Sequence, residues 1–214
     1  MWVFPALKAL LLRALDVVLP RKERSIRIDA ITLECLRVSP VTHEIEGIRI
    51  TTLMEYRTRA VEDVIRALKY DRSEKAVSLC AEALADYLSE EVALSRAFSA
   101  RPIFIVSVPL HTARERERGF NQIQLVLDAL PEELRTLVAP HALTRTRDTK
   151  QQTRLSRRER LTNVEGAFLA DESVRGARIF LIDDVTTTGA TLLEATRALS
   201  DAGSEVSAIA LARA

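Results

Sequence analysis

Glycine is scarce in this chain: six of 214 residues, Gly47, Gly119, Gly166, Gly176, Gly189 and Gly203. No pair among them is spaced for G-x-G-x-x-G, and G-x-x-x-x-G-K-[ST] does not occur. The dinucleotide fingerprint and the ATP-binding P-loop both need glycine where backbone approaches phosphate, so both are excluded. Cysteine is scarcer still: Cys35 and Cys80 cannot build a disulfide framework or a four-cysteine zinc site. His43, His111 and His141 have no mutual spacing that suggests a metal site. An excess of one charge is also missing, with 31 Lys+Arg against 30 Asp+Glu and a formal net charge of +1. Bulk charge therefore does not hold the chain on nucleic acid or a membrane, although a local basic patch survives that test. No stretch approaches the ~20 apolar residues of a membrane span. Residues 1–20, MWVFPALKALLLRALDVVLP, have the apolar content of a signal peptide. Lys8, Arg13 and Asp16 interrupt that run, and neither a basic leading region nor a small-residue cleavage site flanks it. A cytoplasmic chain with no membrane insertion is the expectation.

What is present is ordinary for a globular protein: 47% hydrophobic and 29% charged residues. At ~150 residues per domain the length predicts one domain, or one with an appendage. Leu7, Leu10, Leu11, Ala14, Leu15 and Val18 recur at helical spacing, predicting a helix that buries this face on its own domain. An interfacial membrane helix is the weaker alternative, since the polar face has few cations. Residues 21–55 alternate loosely (Ile26, Ile28, then Ile45, Ile48, Ile50), which predicts two or three short strands. Val61, Val64, Ile65 and Leu68 predict a helix over 58–70; Val77, Cys80, Ala81, Leu84 and Leu88 predict another over 74–94. The apolar run PIFIVSVPL (102–110) reads as a buried parallel strand. Phe120, Ile123, Leu127 and Leu130 predict a helix over 119–130. RIFLIDDV (178–185) reads as a second buried strand, 190–202 as a helix stopped by Gly203, and EVSAIALA (205–212) as a third strand. Strand, helix, strand is a βαβ unit, so the expected class is α/β with a mostly parallel sheet. Residues 1–55 are expected as an N-terminal helix and a small β cap or edge element, and 56–214 as the main domain.

The densest chemistry lies in IFLIDDVTTTGAT (179–191). A buried strand delivers Asp183 and Asp184 at its C-terminal end, where ligands bind in parallel sheets. The hydroxyl-rich turn Thr186-Thr187-Thr188-Gly189-Ala190-Thr191 then opens a helix, whose N-terminal N–H groups suit a phosphate dianion. Gly189 lets backbone approach phosphate with no Cβ in the way. Carboxylates accept hydrogen bonds from vicinal hydroxyls, so a ribose 5-phosphate matches both halves. A bare strand end with a threonine helix cap, and no ligand, is the bland alternative.

LIDDVTTTGAT resembles the phosphoribosyl pyrophosphate (PRPP) motif of type I phosphoribosyltransferases. Tyr56, IRALKY (65–70), VPLHTARERERGFNQ (108–122) and RTRDTKQQTRLSRRERLTNVEGAF (145–168) extend the likeness to the ComF family of competence-associated phosphoribosyltransferase-like proteins. The resemblance covers about residues 56–214. It implies a type I phosphoribosyltransferase-like parallel sheet flanked by helices. It also implies roles: Asp183 and Asp184 hold the ribose hydroxyls, directly or through Mg2+, and are the catalytic pair; Thr187, Thr188, Gly189, Ala190 and Thr191 cradle the 5-phosphate. Pro109, Leu110, His111 and Thr112 form the pyrophosphate turn, with Arg118 and Lys69 as further pyrophosphate candidates. Arg118 reads equally as one surface arginine among ARERER.

Residues 141–160 carry seven Lys/Arg, among them Arg145, Arg147, Lys150 and Arg154, against Asp148 and Glu159. A solvated, mobile loop, a basic flap that closes over pyrophosphate and a nucleic-acid phosphate contact are the three readings, the flap first. No aromatic residue stands there to stack on a base. Many ComF members carry Cys-x-x-Cys pairs after the N-terminal helix, consistent with a zinc ribbon. Arg21-Lys22-Glu23-Arg24 follows Pro20 here and Cys35 stands alone, so the expected N-terminal cap is a metal-free α/β element without zinc. Purine-salvage relatives often have an acidic residue where this chain has Thr187, which argues against a purine acceptor. Two functions stay open: transfer of the phosphoribosyl group to a nitrogen acceptor, or a non-catalytic PRPP-binding protein. Single-stranded DNA or competence-machinery proteins are the partners expected on the second.

Overall fold

The computed structural model describes residues 27–110, 119–146 and 166–214. The amphipathic face at 7–18 lies outside them, as do His111, Arg118, Arg147, Lys150 and Arg154. The element order is α1 (Leu33–Leu36), β1 (Val41–Ile45), β2 (Ile48–Glu55), α2 (Arg59–Tyr70), α3 (Glu74–Phe98), β3 (Ile103–Ser107), α4 (Gln122–Asp128), α5 (Glu132–Arg135), β4 (Leu143–Arg145), β5 (Phe168–Ala170), β6 (Arg178–Thr186), α6 (Ala190–Asp201) and β7 (Glu205–Arg213).

Five strands form one sheet in the order β1-β2-β7-β6-β3. β2, β7, β6 and β3 run parallel, and only β1 is antiparallel to its neighbour. β6 lies between β7 and β3, covered on both faces, and Ile179, Phe180, Leu181 and Ile182 are all 0% exposed. A strand buried on both sides reads as a continuous apolar run, which is why RIFLIDDV was legible. Side chains alternate between the faces. Phe180 and Ile182 join a core with Leu53, Val61, Leu84 and Ile123 on one side. Ile179 and Leu181 join Ile50, Leu143, Phe168, Leu192 and Leu199 on the other.

The N-terminal region departs from expectation. Residues 27–29 are helical rather than extended, and Ile28, 2% exposed, packs into the first core. Arg27 donates twice to the Asp63 carboxylate of α2, which ties this turn down. The alternation at Ile45, Ile48 and Ile50 does form strands, and they make the edge element of the main sheet rather than a cap. β2 pairs with β7 from Ile50↔Ala208 to Glu55↔Arg213, so the main sheet crosses the expected boundary at 55. Alternation reveals a strand; the strand it pairs with lies over 150 positions away and leaves no local trace. The short β4–β5 ribbon was also not expected.

Candidate functional site

β3 and β6 are neighbours in register, Ser107↔Ile182, and Val108 N–H donates to the Ile182 carbonyl at 2.8 Å. The turn Val108-Pro109-Leu110 therefore leaves the sheet beside Asp183 and Asp184. Both segments emerge at the C-terminal edge, as their sequence placement anticipated.

The two carboxylates do not face the same way. A strand turns successive side chains to opposite faces. Asp184, 7% exposed, turns toward α2 and α4. There Lys69 Nζ lies 3.1 Å from its Oδ1, and Gln122 Nε2 donates to its Oδ2 at 2.5 Å. The Val185 N–H also donates to Asp184 Oδ1. Asp183 turns to the face of β4 and α6, and its Oδ1 accepts the Asp184 N–H at 2.8 Å. Burial first, and the Asp184 charge second, push the Asp183 carboxyl up to about 7, against the pull of that N–H, Lys69 and Arg145. One carboxylate is thus clamped by three donors, and the other is held reluctant to ionise.

Lys69, expected on the pyrophosphate side, is here the counter-ion of Asp184. Replacing it with Met removes, among the described residues, the cation paired with a mostly buried carboxylate. Lys69→Met is expected to lower stability by about 1–3 kcal/mol, with Asp184→Asn in the same chain restoring most of it. Thermal melts of the two single variants and the double variant check this; additive losses would contradict the pairing.

The turn after β6 requires glycine for its backbone conformation and its packing. Gly189 caps α6 at φ +80°, a left-handed conformation. A Cβ there would meet Ile45 Cδ1 at 2.7 Å and Ile50 Cδ1 at 3.0 Å. The β1–β2 hairpin thus supports the turn from outside the phosphoribosyl-like segment. Thr187 is exposed, Thr188 and Thr191 are half-buried, and Thr188 Oγ1 accepts the Ala190 N–H at 3.4 Å. Gly189 and Ala190 are buried.

Arg145 does not belong to a solvated loop. It ends β4, is 8% exposed, and its guanidinium carbon sits 5.3 Å from the Phe168 ring centroid. Its pairing with Phe168 across the β4–β5 ribbon holds it on the Asp183 side of the sheet. Seven like charges in the sequence suggested a loop; Leu143 and Phe168, which bury the start and return of the segment, were the signal that the ribbon forms. His43 accepts from Arg213 Nη1 through Nδ1. Burial and the Arg213 charge lower its pKa. Among the described residues no group of three or more His, Cys, Asp or Glu side chains converges as a metal site.

Gln122, which sequence reasoning did not single out, reaches Asp184 of the candidate site. Its signal was the RGFNQ run together with an inward position at the start of an amphipathic helix.

A family model described as "Phosphoribosyl transferase domain" matches residues 123–214. The chain is 36% identical over 148 residues to DNA utilization protein YhgH of Salmonella typhi, covering 68% of this chain and 63% of that one. It is equally similar to YhgH of Escherichia coli K12. It is 31% identical over 156 residues to Competence protein ComFC of Bacillus subtilis, covering 73% of this chain and 55% of the relative. The match therefore spans less than two thirds of these relatives' own length. Among solved structures, an orotate phosphoribosyltransferase of Mycobacterium tuberculosis aligns with 88% of this chain and 82% of its own, at 15% identity and TM-score 0.37. A phosphoribosyltransferase of Corynebacterium diphtheriae aligns with 69% of each chain, at 19% identity and TM-score 0.36.

Proposed function

The chain belongs to the ComF family of phosphoribosyltransferase-like proteins, and on that premise we propose that it binds phosphoribosyl pyrophosphate or a nucleotide 5-phosphate at the C-terminal edge of β3 and β6. One observation carries this reading: two pieces far apart in sequence meet at one edge. They are the turn after β3 and the run from the Asp183-Asp184 pair into the threonine-rich turn capped by Gly189.

Thr187 to Thr191 receive the 5-phosphate at the start of α6, where N–H groups and hydroxyls are donors. Asp183 and Asp184 accept from the ribose hydroxyls. Pro109, Leu110 and Lys69 stand on the side where pyrophosphate would lie. The donor set leaves one hard carboxylate, Asp183, for Mg2+, and among the described residues no further acid converges with the pair, so the remaining ligands fall to substrate and water. When bound, Mg2+ supplies charge neutralisation to the pyrophosphate. Asp183 is the carboxylate to take it, since Lys69, Gln122 and Val185 already occupy Asp184.

As a transferase, the site breaks the bond from the anomeric carbon to pyrophosphate, which departs with the bonding electrons, and a nitrogen acceptor forms the new bond. The carboxylates lie where positive charge grows on the ribose, so the protein contributes mainly by electrostatics. The relatives named for DNA utilization and competence favour a second reading, a PRPP-binding protein serving the handling of DNA without transfer. Among the described residues no helix is long and apolar enough to cross a membrane.

PRPP with Mg2+ is expected to raise the melting temperature by several degrees, since saturation at a hundredfold over Kd adds about 2.7 kcal/mol. No shift at millimolar PRPP refutes the binding reading. Pyrophosphate release with a panel of bases separates the two: release with any base makes it a transferase, and none, with the shift intact, favours the binding protein.

A further inference from the structure

Arg213 ends β7, and its backbone lies against the start of the threonine turn. It pairs with Thr186 of β6, and the Ala214 N–H donates to the Thr186 carbonyl at 3.0 Å. Its side chain reaches past β2 to the edge strand, where Nη1 donates to His43 Nδ1. An arginine only donates, so Nδ1 carries the lone pair and Nε2 the proton. Nε2 in turn donates to Thr52 Oγ1 at 3.4 Å, and that hydroxyl donates to the Val41 carbonyl at 3.3 Å. The relay runs in one direction and fixes a neutral imidazole. Burial and the arginine charge both favour that state.

Among the described residues Arg213 forms no ion pair with a carboxylate. Glu55, its register partner on β2, is exposed and accepts from the Arg57 N–H instead. A carboxylate in place of His43 would hold the guanidinium and cancel its charge. A neutral acceptor holds it and leaves the charge, with the remaining N–H donors, for an anion. The position says which anion. His43 pairs with Ile50 and shares a face of β1 with Ile45. Gly189 of the threonine turn packs against those two isoleucines. The guanidinium and the turn thus lean on adjoining residues of one hairpin face. The turn after β3, where pyrophosphate would lie, is on the far side of β6 from β7.

We propose that Arg213 binds the 5-phosphate seated on the threonine turn and that His43 is its positioning residue. This rests on the PRPP reading of the site and deepens it. It adds a full positive charge to a turn of N–H groups and hydroxyls, and it gives the β1–β2 hairpin a part in ligand binding.

The test measures binding of ribose 5-phosphate without metal and of PRPP with Mg2+ by calorimetry. Both ligands carry the 5-phosphate. Arg213→Gln is expected to weaken both by the same factor, about tenfold to a hundredfold, with a melting temperature within a few degrees of wild type. Arg213→Lys restores part of the loss. His43→Gln, which keeps a neutral acceptor, weakens both ligands about twofold, and His43→Glu, which pairs with the arginine, about tenfold. A loss for PRPP with ribose 5-phosphate unchanged would put Arg213 on the pyrophosphate and overturn the proposal. Unchanged affinity for both ligands overturns it and leaves the PRPP site standing. If Arg213→Gln does not fold, the two His43 variants decide: equal losses from glutamine and glutamate mean the neutral acceptor is only structural, which overturns it. A wild type that binds neither ligand overturns this proposal and the PRPP reading together.

Discussion

Asp183→Asn is expected to raise the melting temperature of the ligand-free protein in mildly alkaline solution and to abolish its response to PRPP with Mg2+. The two effects share one cause. The folded protein holds the Asp183 carboxyl at about 7, against 3.8 for an unperturbed aspartate. Between those values the folded chain binds more protons than the unfolded one, so stability falls as pH rises through that window. Above it the whole cost of ionising the side chain beside Asp184 is present. Asparagine removes the charge and keeps an oxygen for the Asp184 N–H. Solvent on the open side screens part of the repulsion, so the gain is about 1–2 kcal/mol, or ~2–8 °C at this chain length. Below the unperturbed value wild type and variant should melt together. Asp184→Asn should have the opposite sign, since it strands the Lys69 ammonium, 21% exposed, without its counter-ion. Melting curves of both variants at acid, neutral and alkaline pH decide the matter. Equal destabilisation by the two asparagines would mean the carboxylates are not held in different environments.

Gly189→Ala should be the most damaging single-methyl change in the chain. Two costs add. A residue with a Cβ at φ +80° loses about 1–2 kcal/mol. The new methyl also overlaps Ile45 Cδ1 at 2.7 Å and touches Ile50 Cδ1 at 3.0 Å, adding about 1–2 kcal/mol of crowding. The expected fall in melting temperature is ~4–16 °C. Ile45 is half-buried and on the edge hairpin, so it can give. Ile45→Val removes the overlapping atom and should return the crowding part while leaving the backbone part. If Gly189→Ala melts with the wild type, the left-handed cap is not a constraint. If Ile45→Val recovers nothing, the hairpin does not bear on the phosphate turn.

These two positions also divide what was legible in the chain from what was not. RIFLIDDV reads as a strand because both its faces are buried and every residue must be apolar until the sheet ends. The acids that break the run begin where the pairing with β3 ends, while the pairing with β7 continues to Thr186, and the threonine turn marks a helix start. The helices over 59–70 and 74–98 were legible from their apolar faces. Arg145 was not, because charge density along 141–160 outweighed Leu143 and Phe168, which bury the ribbon it ends. Ile28 was misread as extended because an apolar residue every second position is also met in a short helical turn.

Local order was thus written in the sequence: which segments are strand or helix, where the acids and hydroxyls fall, and where backbone must turn left-handed. Those features depend on neighbours a few residues away, through alternation, helical period and the absence of a Cβ. Tertiary structure alone decided that the hairpin at 41–55 joins β7 and props the Gly189 turn. It alone turned the two acids to opposite faces and gave Asp184 to Lys69 and Gln122 while burial and the Asp184 charge raised the pKa of Asp183. Such pairings are set by burial and by charges brought together from distant parts of the chain, and no local pattern encodes them.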